Sequence, residues 1–377
     1  MSDFDLIVIG AGIMGATAAV HAAQGGMRVA VLDREGIGGG ASGVNAGTLS
    51  LQIKRVGLMP YALRGQAWWA RAGDAVGFKR TGGYTLAFND REASLLHERM
   101  SLKREAGAPI EFVSPADVRI REPALSEHIV AASHCAEDGH ADSTRTGIYL
   151  RHLLRAADVD LREHAGAQAI DEGNGGFRVH TRDEVLVGNR LLIAGGAWTP
   201  QLAAMLGVTL PIDARVNTVS VTEPAPRQLH AGIGHATGLL TLKQKPNGTF
   251  LIGGGWQGRG SPQDGRGEVN AETLLQNLRL ARHAVPALAR TRLLRSWTGF
   301  EAFVPDHYPL AGALPGVRNA YVLACVRGGY TIGPCIGPLV ADLMLGRELA
   351  LPLFDPARFG DAKPTVASAS AVTTADA

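Results

Sequence analysis

Apolar positions along the chain arrive in short blocks separated by glycine. Phe4 to Ile9 is a short apolar run ending at Gly10, the pattern of a strand buried on both faces. Ile13 to Gln24 is rich in alanine, with small residues where a helix would press on a sheet, and Gly25-Gly26 stops it. Val29 to Leu32 is the next β-branched run. Strand, helix and strand at this spacing predict a right-handed βαβ unit.

Beyond it, Gly36 to Gly47 reads as a glycine-rich loop, followed by a helical stretch containing Tyr61, Trp68 and Trp69. Arg80-Thr81-Gly82-Gly83 leads into a strand over Tyr84 to Phe88, and charged helical sequence runs from Asp90 to about Ala106. Ser143 to Ala157 reads as a helix packing on the first domain, and Arg190 to Ala194 as a buried strand ending in Gly195-Gly196. Residues 211 to 260 alternate in short β-like runs with a turn at Pro246-Asn247-Gly248. Glu272 to Leu288 is helical in pattern. The last residues, 361 to 377, carry Ala, Ser, Thr and Val without an aromatic and read as a disordered tail.

Composition changes this picture in one respect. Glycine is 48 of 377 residues, well above the usual ~7 %, with no G-X-Y repeat. At that frequency a random chain of this length yields about one G-x-G-x-x-G by chance, so context must decide. Charge excludes more than it assigns: the formal balance is +2, and no basic run or basic-aromatic stripe gives a footprint for nucleic acid. Cys135, Cys325 and Cys335 form no C-x-x-C, which argues against a disulfide framework, zinc or an Fe–S cluster. No apolar stretch reaches the ~18 residues of a membrane span. The cysteine pattern makes a reducing compartment the expected setting, and Met1 to Asp5 lacks a basic secretory leader.

Three G-x-G-x-x-G matches occur, at Gly10/Gly12/Gly15, Gly38/Gly40/Gly43 and Gly253/Gly255/Gly258. Only the first lies between an apolar strand and a helix. There one glycine serves the tight turn, one lets backbone approach a pyrophosphate, and one permits helix–strand packing. Helix N-terminal amides then face the phosphate. Asp33 ends the second strand, where a carboxylate accepts from ribose hydroxyls. The Gly36 to Gly47 loop, through its N–H groups and the Ser42 hydroxyl, would reach a second phosphate, which favours FAD over NAD; a plain surface loop is the competing reading. The third match precedes no helix and reads as close packing or a pocket wall.

Several separated blocks, in order, resemble the glycine oxidase and sarcosine oxidase family, the D-amino-acid-oxidase type of FAD enzyme. They are Gly10 to Gly15, Ala41-Ser42 with Asn45-Ala46-Gly47, Gly139 to Asp142, Leu192 to Trp198, Trp297 to Glu301, Pro305 to Leu310, Gly328 to Pro334 and Phe354 to Phe359. Within the family the chain is similar to the catalytic subunits of bacterial amine dehydrogenases, such as those of opine oxidase and D-hydroxyproline dehydrogenase. The resemblance implies an α/β fold: a discontinuous Rossmann-type FAD-binding domain over 1–84, 145–210 and 301–360, and a β-rich α+β substrate domain over 85–144 and 211–300. It implies noncovalent FAD held by Gly10, Gly12, Ile13, Met14, Gly15, Asp33, Arg34, Ala41, Ser42, Asn45, Ala46, Gly47, Ala194, Gly195 and Trp198. Gly329, Tyr330, Thr331 and Ile332 would lie beside the flavin ring.

The implied chemistry is oxidation of a C–N bond in a secondary amine or amino acid, with hydride passing to flavin N5. No catalytic base is required and none is assigned. Substrate-pocket candidates are Glu301, Arg327, Lys54, Tyr330 and Trp256, each also readable as a structural residue; Tyr84 is a pocket wall or a core residue. Glu301 stands near where many relatives carry a carboxylate-gripping arginine, so a carboxylate would be bound elsewhere, by Arg327 or Lys54. Oxygen-using sarcosine oxidases place a lysine in the strand near Thr249 to Gly253, where this chain has Leu251. That favours a dehydrogenase passing electrons to partner subunits or a carrier, in the cytoplasm, at the inner membrane if its acceptor resides there. A self-sufficient peroxide-forming oxidase, a non-catalytic flavin scaffold and, more remotely, a nicotinamide enzyme stay open. His140 and His307 read as turn or surface residues, and Cys325 and Cys335 as small buried side chains.

Overall fold

The computed structural model describes residues 3–173, 175–324 and 328–360. The expected tail, Cys325 and Arg327 lie outside them. The described residues fall into two compact units, one drawn from Met1–Val44, Ser143–Ala214 and Phe300–Ser370, the other from Asn45–Asp142 and Arg215–Gly299.

The first unit is built on an eight-stranded sheet. Its centre is parallel: Phe4–Ile9 lies between Val185–Ile193 and Val29–Asp33, with Ala320–Ala324 and Asp160–Glu163 outside them. Leu6, Ile7 and Val8 are wholly buried, as an apolar run covered on both faces requires. The helix Ile13–Gln24 follows the first strand within the expected bounds. The C-terminal helix Gly329–Met344 packs along it: a Cβ on Gly333 would meet Ile13 Cγ2 at 2.9 Å, and one on Gly337 would meet the Met14 carbonyl at 2.7 Å. Small residues here let two helices touch nearly backbone to backbone.

The second unit carries an eight-stranded sheet in the order Leu293–Phe303, Asp213–Thr222, Phe250–Gly253, Thr241–Gln244, Gly232–His235, Gly83–Ala87, Ala131–Cys135, Ile110–Val113. A small sheet joins Thr48–Leu49, Gly139–His140 and Lys79–Arg80. These pairings place residues 45–84 with the second unit, although the resemblance grouped them with the first. The main sheet has two unlike faces. Leu242, Phe250, Ile252, Ile233 and Leu86 share an apolar cluster with Ala281 and Val285. The alternate positions, Thr85, Gly234, Thr241 and Lys243, point to the other side.

Two elements differ from expectation. A helical turn, Ala41–Val44, interrupts the predicted loop. The predicted helix over Glu272 to Leu288 is a helix, Ala271–Ala284, and a separate 3-10 turn, Pro286–Arg290. Pro286 has no N–H to donate and disfavours helical backbone at Val285 before it.

Candidate active site

In the first unit the glycine turn is backbone packed on backbone. Gly10 has φ +114°, and a Cβ there would run into the Ala194 carbonyl. A Cβ on Gly15 would strike the Gly10 carbonyl and lie 3.1 Å from the Ala194 side chain. Gly12 is the N-cap of the helix and supplies no side-chain cap of its own, so acceptors for the first-turn N–H groups must come from other residues or a ligand. The Ser42 hydroxyl accepts from the Ile13 N–H at 2.9 Å. Asp33 accepts from Ala11 N–H at 2.7 Å through Oδ2, and from Glu35 and Gly36 N–H at 2.9 and 3.0 Å through Oδ1.

Gly10, Gly12, Gly15, Asp33, Ser42 and Ala194 are therefore brought together. Arg34 lies 3.8 Å over the Trp198 ring, which meets Phe300 edge-on at 5.6 Å. Gly328, left-handed at φ +91°, starts the C-terminal helix. There the Tyr330 hydroxyl bonds the Thr146 hydroxyl at 2.7 Å, and Thr331 and Ile332 are fully buried. Glu301 is half-buried on its strand. His307 has left-handed backbone, as its turn reading anticipates.

The second unit contains a small cleft against the polar face of its sheet. Its walls are Gly83, Thr85, Gly232, Gly234, Thr241 and Lys243 on one side and Thr48, Ser50, Gln52, Asp138 and His140 on the other. Lys243 Nζ donates to the Thr48 hydroxyl at 2.7 Å. Burial, then the charge of Lys245, holds the Lys243 ammonium down to about 7. Burial and the nearby lysines hold His140 down to about 3, so its imidazole is neutral.

Behind the cleft lies a saturated network. Asp138 accepts from the Ser50 hydroxyl, the Leu51 N–H at 2.7 Å and the Gln52 amide at 3.0 Å. Gln52 also accepts from Ser133 at 2.6 Å, and its carbonyl takes the Lys103 ammonium at 2.6 Å. Burial pushes the Asp138 carboxyl up and the Lys103 ammonium down to about 7.

The candidates from the second unit are distributed differently. Lys54 is buried and repels Lys103, so it is no surface cation. Trp256 is half-buried, its indole N–H donating to the Leu239 carbonyl at 2.7 Å. Tyr84 belongs to the apolar core and meets the His134 ring at a tilt, centroids 4.7 Å apart. Asn45 accepts from the Gly47 N–H at 2.6 Å, and Gly47 packs against the Ala141 backbone. His140 is buried, contrary to the surface reading, because its strand is the middle one of three. Arg327 lies outside the described residues. Lys243, Thr48 and Asp138 were not anticipated. A lysine in Thr241 to Gln244 reads as solvent-facing until the sheet order covers it.

A family model described as "FAD dependent oxidoreductase" matches residues 5–343. The chain belongs to this family. Glycine oxidase of Geobacillus kaustophilus is 27 % identical over 364 residues, covering 93 % of this chain and 95 % of the relative. An opine oxidase subunit of Rhizobium meliloti is 25 % identical over 379 residues, covering 95 % and 98 %. The crystal structure of L-proline dehydrogenase from P. horikoshii superposes with a TM-score of 0.87 at 24 % identity over 95 % of this chain and 98 % of that one, a likeness of fold. The FAD chemistry and the mixed α/β architecture implied by the sequence resemblance are thereby established. Among the described residues no helix is long and apolar enough to cross a membrane, and no group of three or more His, Cys, Asp or Glu could hold a metal.

Proposed function

We propose that this FAD-dependent oxidoreductase oxidises the C–N bond of a secondary amine or amino acid, of opine-like, D-hydroxyproline-like or sarcosine-like type, as the catalytic subunit of a dehydrogenase. The observation that carries the cofactor assignment is the turn at Gly10 to Gly15. It packs backbone on backbone, has a glycine without a capping side chain at the helix N-cap, and sets Ser42 and Asp33 beside it. Such a cradle fits a pyrophosphate and a ribose.

The residues that would hold FAD in this unit are Gly10, Gly12, Ile13, Met14, Gly15, Asp33, Arg34, Ala41, Ser42, Ala194, Gly195 and Trp198. Gly329 to Ile332 would lie at the flavin end. Bound there, FAD supplies the acceptor for a hydride leaving the carbon next to the substrate nitrogen. The protein's own work is to hold that carbon in line, keep water out and admit the amine unprotonated. The subunit role draws support from the opine oxidase relative.

A second reading, a self-sufficient oxidase, is favoured by one observation. Lys243 is the cross-strand partner of Leu251 and shares its sheet face, so the lack of a lysine at Leu251 no longer speaks against direct use of oxygen. Anaerobic bleaching of the purified flavoprotein by opines, D-hydroxyproline, sarcosine and glycine tests the main proposal. Bleaching by an amine with no peroxide release in air supports the dehydrogenase, and rapid peroxide release supports the oxidase. Protein that binds flavin but is bleached by no amine is a scaffold.

A further inference from the structure

The main sheet of the second unit ends in an open strand. Leu293–Phe303 is its terminal strand, paired on one side with Asp213–Thr222, and no strand lies beyond it among the described residues. The Arg292 carbonyl accepts from the Glu223 N–H at 3.0 Å, and the Arg292 N–H donates to the Glu223 carboxylate at 3.0 Å. Both backbone groups of Arg292 therefore face the sheet. Backbone direction alternates along a strand, so those of Leu293 and Arg295 face away from it.

The side chains on this edge are apolar and cationic. Leu293 is 40 % exposed and Leu294 68 %. Leu294 continues the apolar face of the sheet: the next residue on its side, Ser296, bonds Ser220, and Ser220 is the cross-strand partner of Ile252 in the apolar cluster. Around the leucines the charge has one sign. From 279 to 295 the chain holds five arginines, all exposed, and no lysine, aspartate or glutamate. Arg282 lies in the last turn of its helix, where a cation offsets the helix dipole. Arg290, Arg292 and Arg295 lie beyond that helix and belong to none of the ion pairs among the described residues. The Arg295 guanidinium lies 5.1 Å over the Trp297 ring.

Charged side chains alone guard an edge strand against unwanted pairing. Guarding gives no reason for two open leucines between the arginines. Free backbone donors and acceptors, apolar surface and unanswered positive charge together suit an extended, acidic chain laid along the edge.

We propose that this edge docks an acidic, extended segment of a separate protein chain. The segment adds a strand beside Leu293–Trp297, with its backbone on Leu293 and Arg295, its apolar side chains on Leu293 and Leu294, and its carboxylates on Arg290, Arg292 and Arg295. A second copy of this chain does not fit. Pairing of the edge with itself about Leu293 and Leu294 sets Arg292 opposite Arg295, and like charges directly opposite repel. That the occupant is a protein rests on the reading of this chain as one subunit of an assembly; the open cationic edge does not.

The test follows, by anisotropy, binding of a labelled peptide alternating glutamate and valine to the flavin-loaded full chain. The peptide should bind, and its glutamine counterpart at least tenfold more weakly. Binding should weaken steeply between ~0.1 and ~1 M salt, as the screening length falls from about 10 to about 3 Å. Arg292→Gln and Arg295→Gln should each weaken it about two- to fivefold. Leu293→Pro removes an outward N–H and no bond of the sheet, and should weaken it at least tenfold with flavin content unchanged. The same peptide methylated at the backbone nitrogens of one edge should lose as much, and covers the case in which the proline variant fails to fold. Equal binding of the glutamine or the methylated peptide, affinity unchanged in both arginine variants, or no peptide binding overturns the proposal. Arginine-dependent capture of phosphatidylglycerol vesicles without peptide binding overturns it in favour of a membrane surface, and a dimer lost in Leu293→Pro in favour of a second copy. Flavin bleaching is read separately. Peptide binding without bleaching by any amine defeats the oxidation reading and leaves the edge standing, and bleaching without peptide binding does the reverse.

Discussion

The two units solve the problem of meeting a polar ligand in opposite ways. In the first, the glycine turn is made of backbone, and its one carboxylate accepts from backbone N–H groups. There a shift can be led by a partner: Arg151 at 2.6 Å draws the Glu163 carboxyl down. In the second, the cleft is made of side chains from several separated segments, and the shifts in Lys243, His140 and Asp138 along it and in Lys103 behind it are led by burial. A backbone site is rigid and indifferent to pH. A site of desolvated side chains stores unfavourable charge that a ligand or a proton can relieve.

The largest effect is expected in the first unit. Gly15→Ala places a methyl group against the Gly10 carbonyl and the Ala194 side chain, neither of which has a flexible end to move. We expect the variant to purify without flavin and to lose about 1–3 kcal/mol from overpacking. Flavin-to-protein ratio and urea unfolding measure the two effects. Retention of full flavin content would show that the turn is not the cofactor cradle.

The second unit should answer to pH. The unfolded chain binds more protons than the folded one between pH 7 and 10.5, because Lys243 and Lys103 stand at about 7 only when folded. Stability therefore rises with pH through that window, by up to about 2–3 kcal/mol per lysine between pH 7 and 9. His140 adds a slope of the same sign between about 3 and its ordinary 6.5. Asp138 opposes it: its carboxyl is pushed up, so the folded state holds the proton longer and stability falls as pH rises past 3.8. Urea midpoints at pH 7 and 9 check this. Lys243→Met and Lys103→Met should each remove about half of the alkaline gain.

This contrast also explains what could be read from the chain alone. The βαβ opening was legible because its determinants are local: an apolar run, three glycines at fixed spacing and an acidic strand end within 33 residues. The ordered blocks carried the family for the same reason. The cleft was not legible. Lys243, Thr48 and Asp138 lie far apart, and each is ordinary in its own stretch. Their meaning depends on strand order: Thr48 and Lys79 flank the His140 strand, and Lys243 faces away from the apolar cluster. Periodicity indicates which residues share a face but not what covers it. The break at Pro286, by contrast, is a local signal, since the proline stands within the predicted helix.

A smaller effect probes a side-chain tie at the start of the C-terminal helix. The Tyr330 hydroxyl meets that of Thr146 at 2.7 Å. Tyr330→Phe keeps the ring and removes this bond, which costs about 1 kcal/mol. Since the cradle is backbone, flavin content should not change, and urea unfolding beside the flavin-to-protein ratio separates the two. A loss of flavin equal to that of Gly15→Ala would mean that side chains of this helix share in holding the cofactor.

The smallest change in stability is expected where glycine serves space rather than contact. Gly232 sits in extended sheet, with no neighbour nearer than 3.7 Å to the Cβ it lacks. Gly232→Ala lowers the entropy of the unfolded chain and meets no clash, so it should be neutral or stabilising by up to about 1 kcal/mol. The methyl group enters the cleft beside Gly83, its cross-strand partner. Urea unfolding of this variant beside Gly15→Ala measures the contrast. If the loss is as large as that of Gly15→Ala, Gly232 too is held by contact, and the difference between the two kinds of glycine disappears.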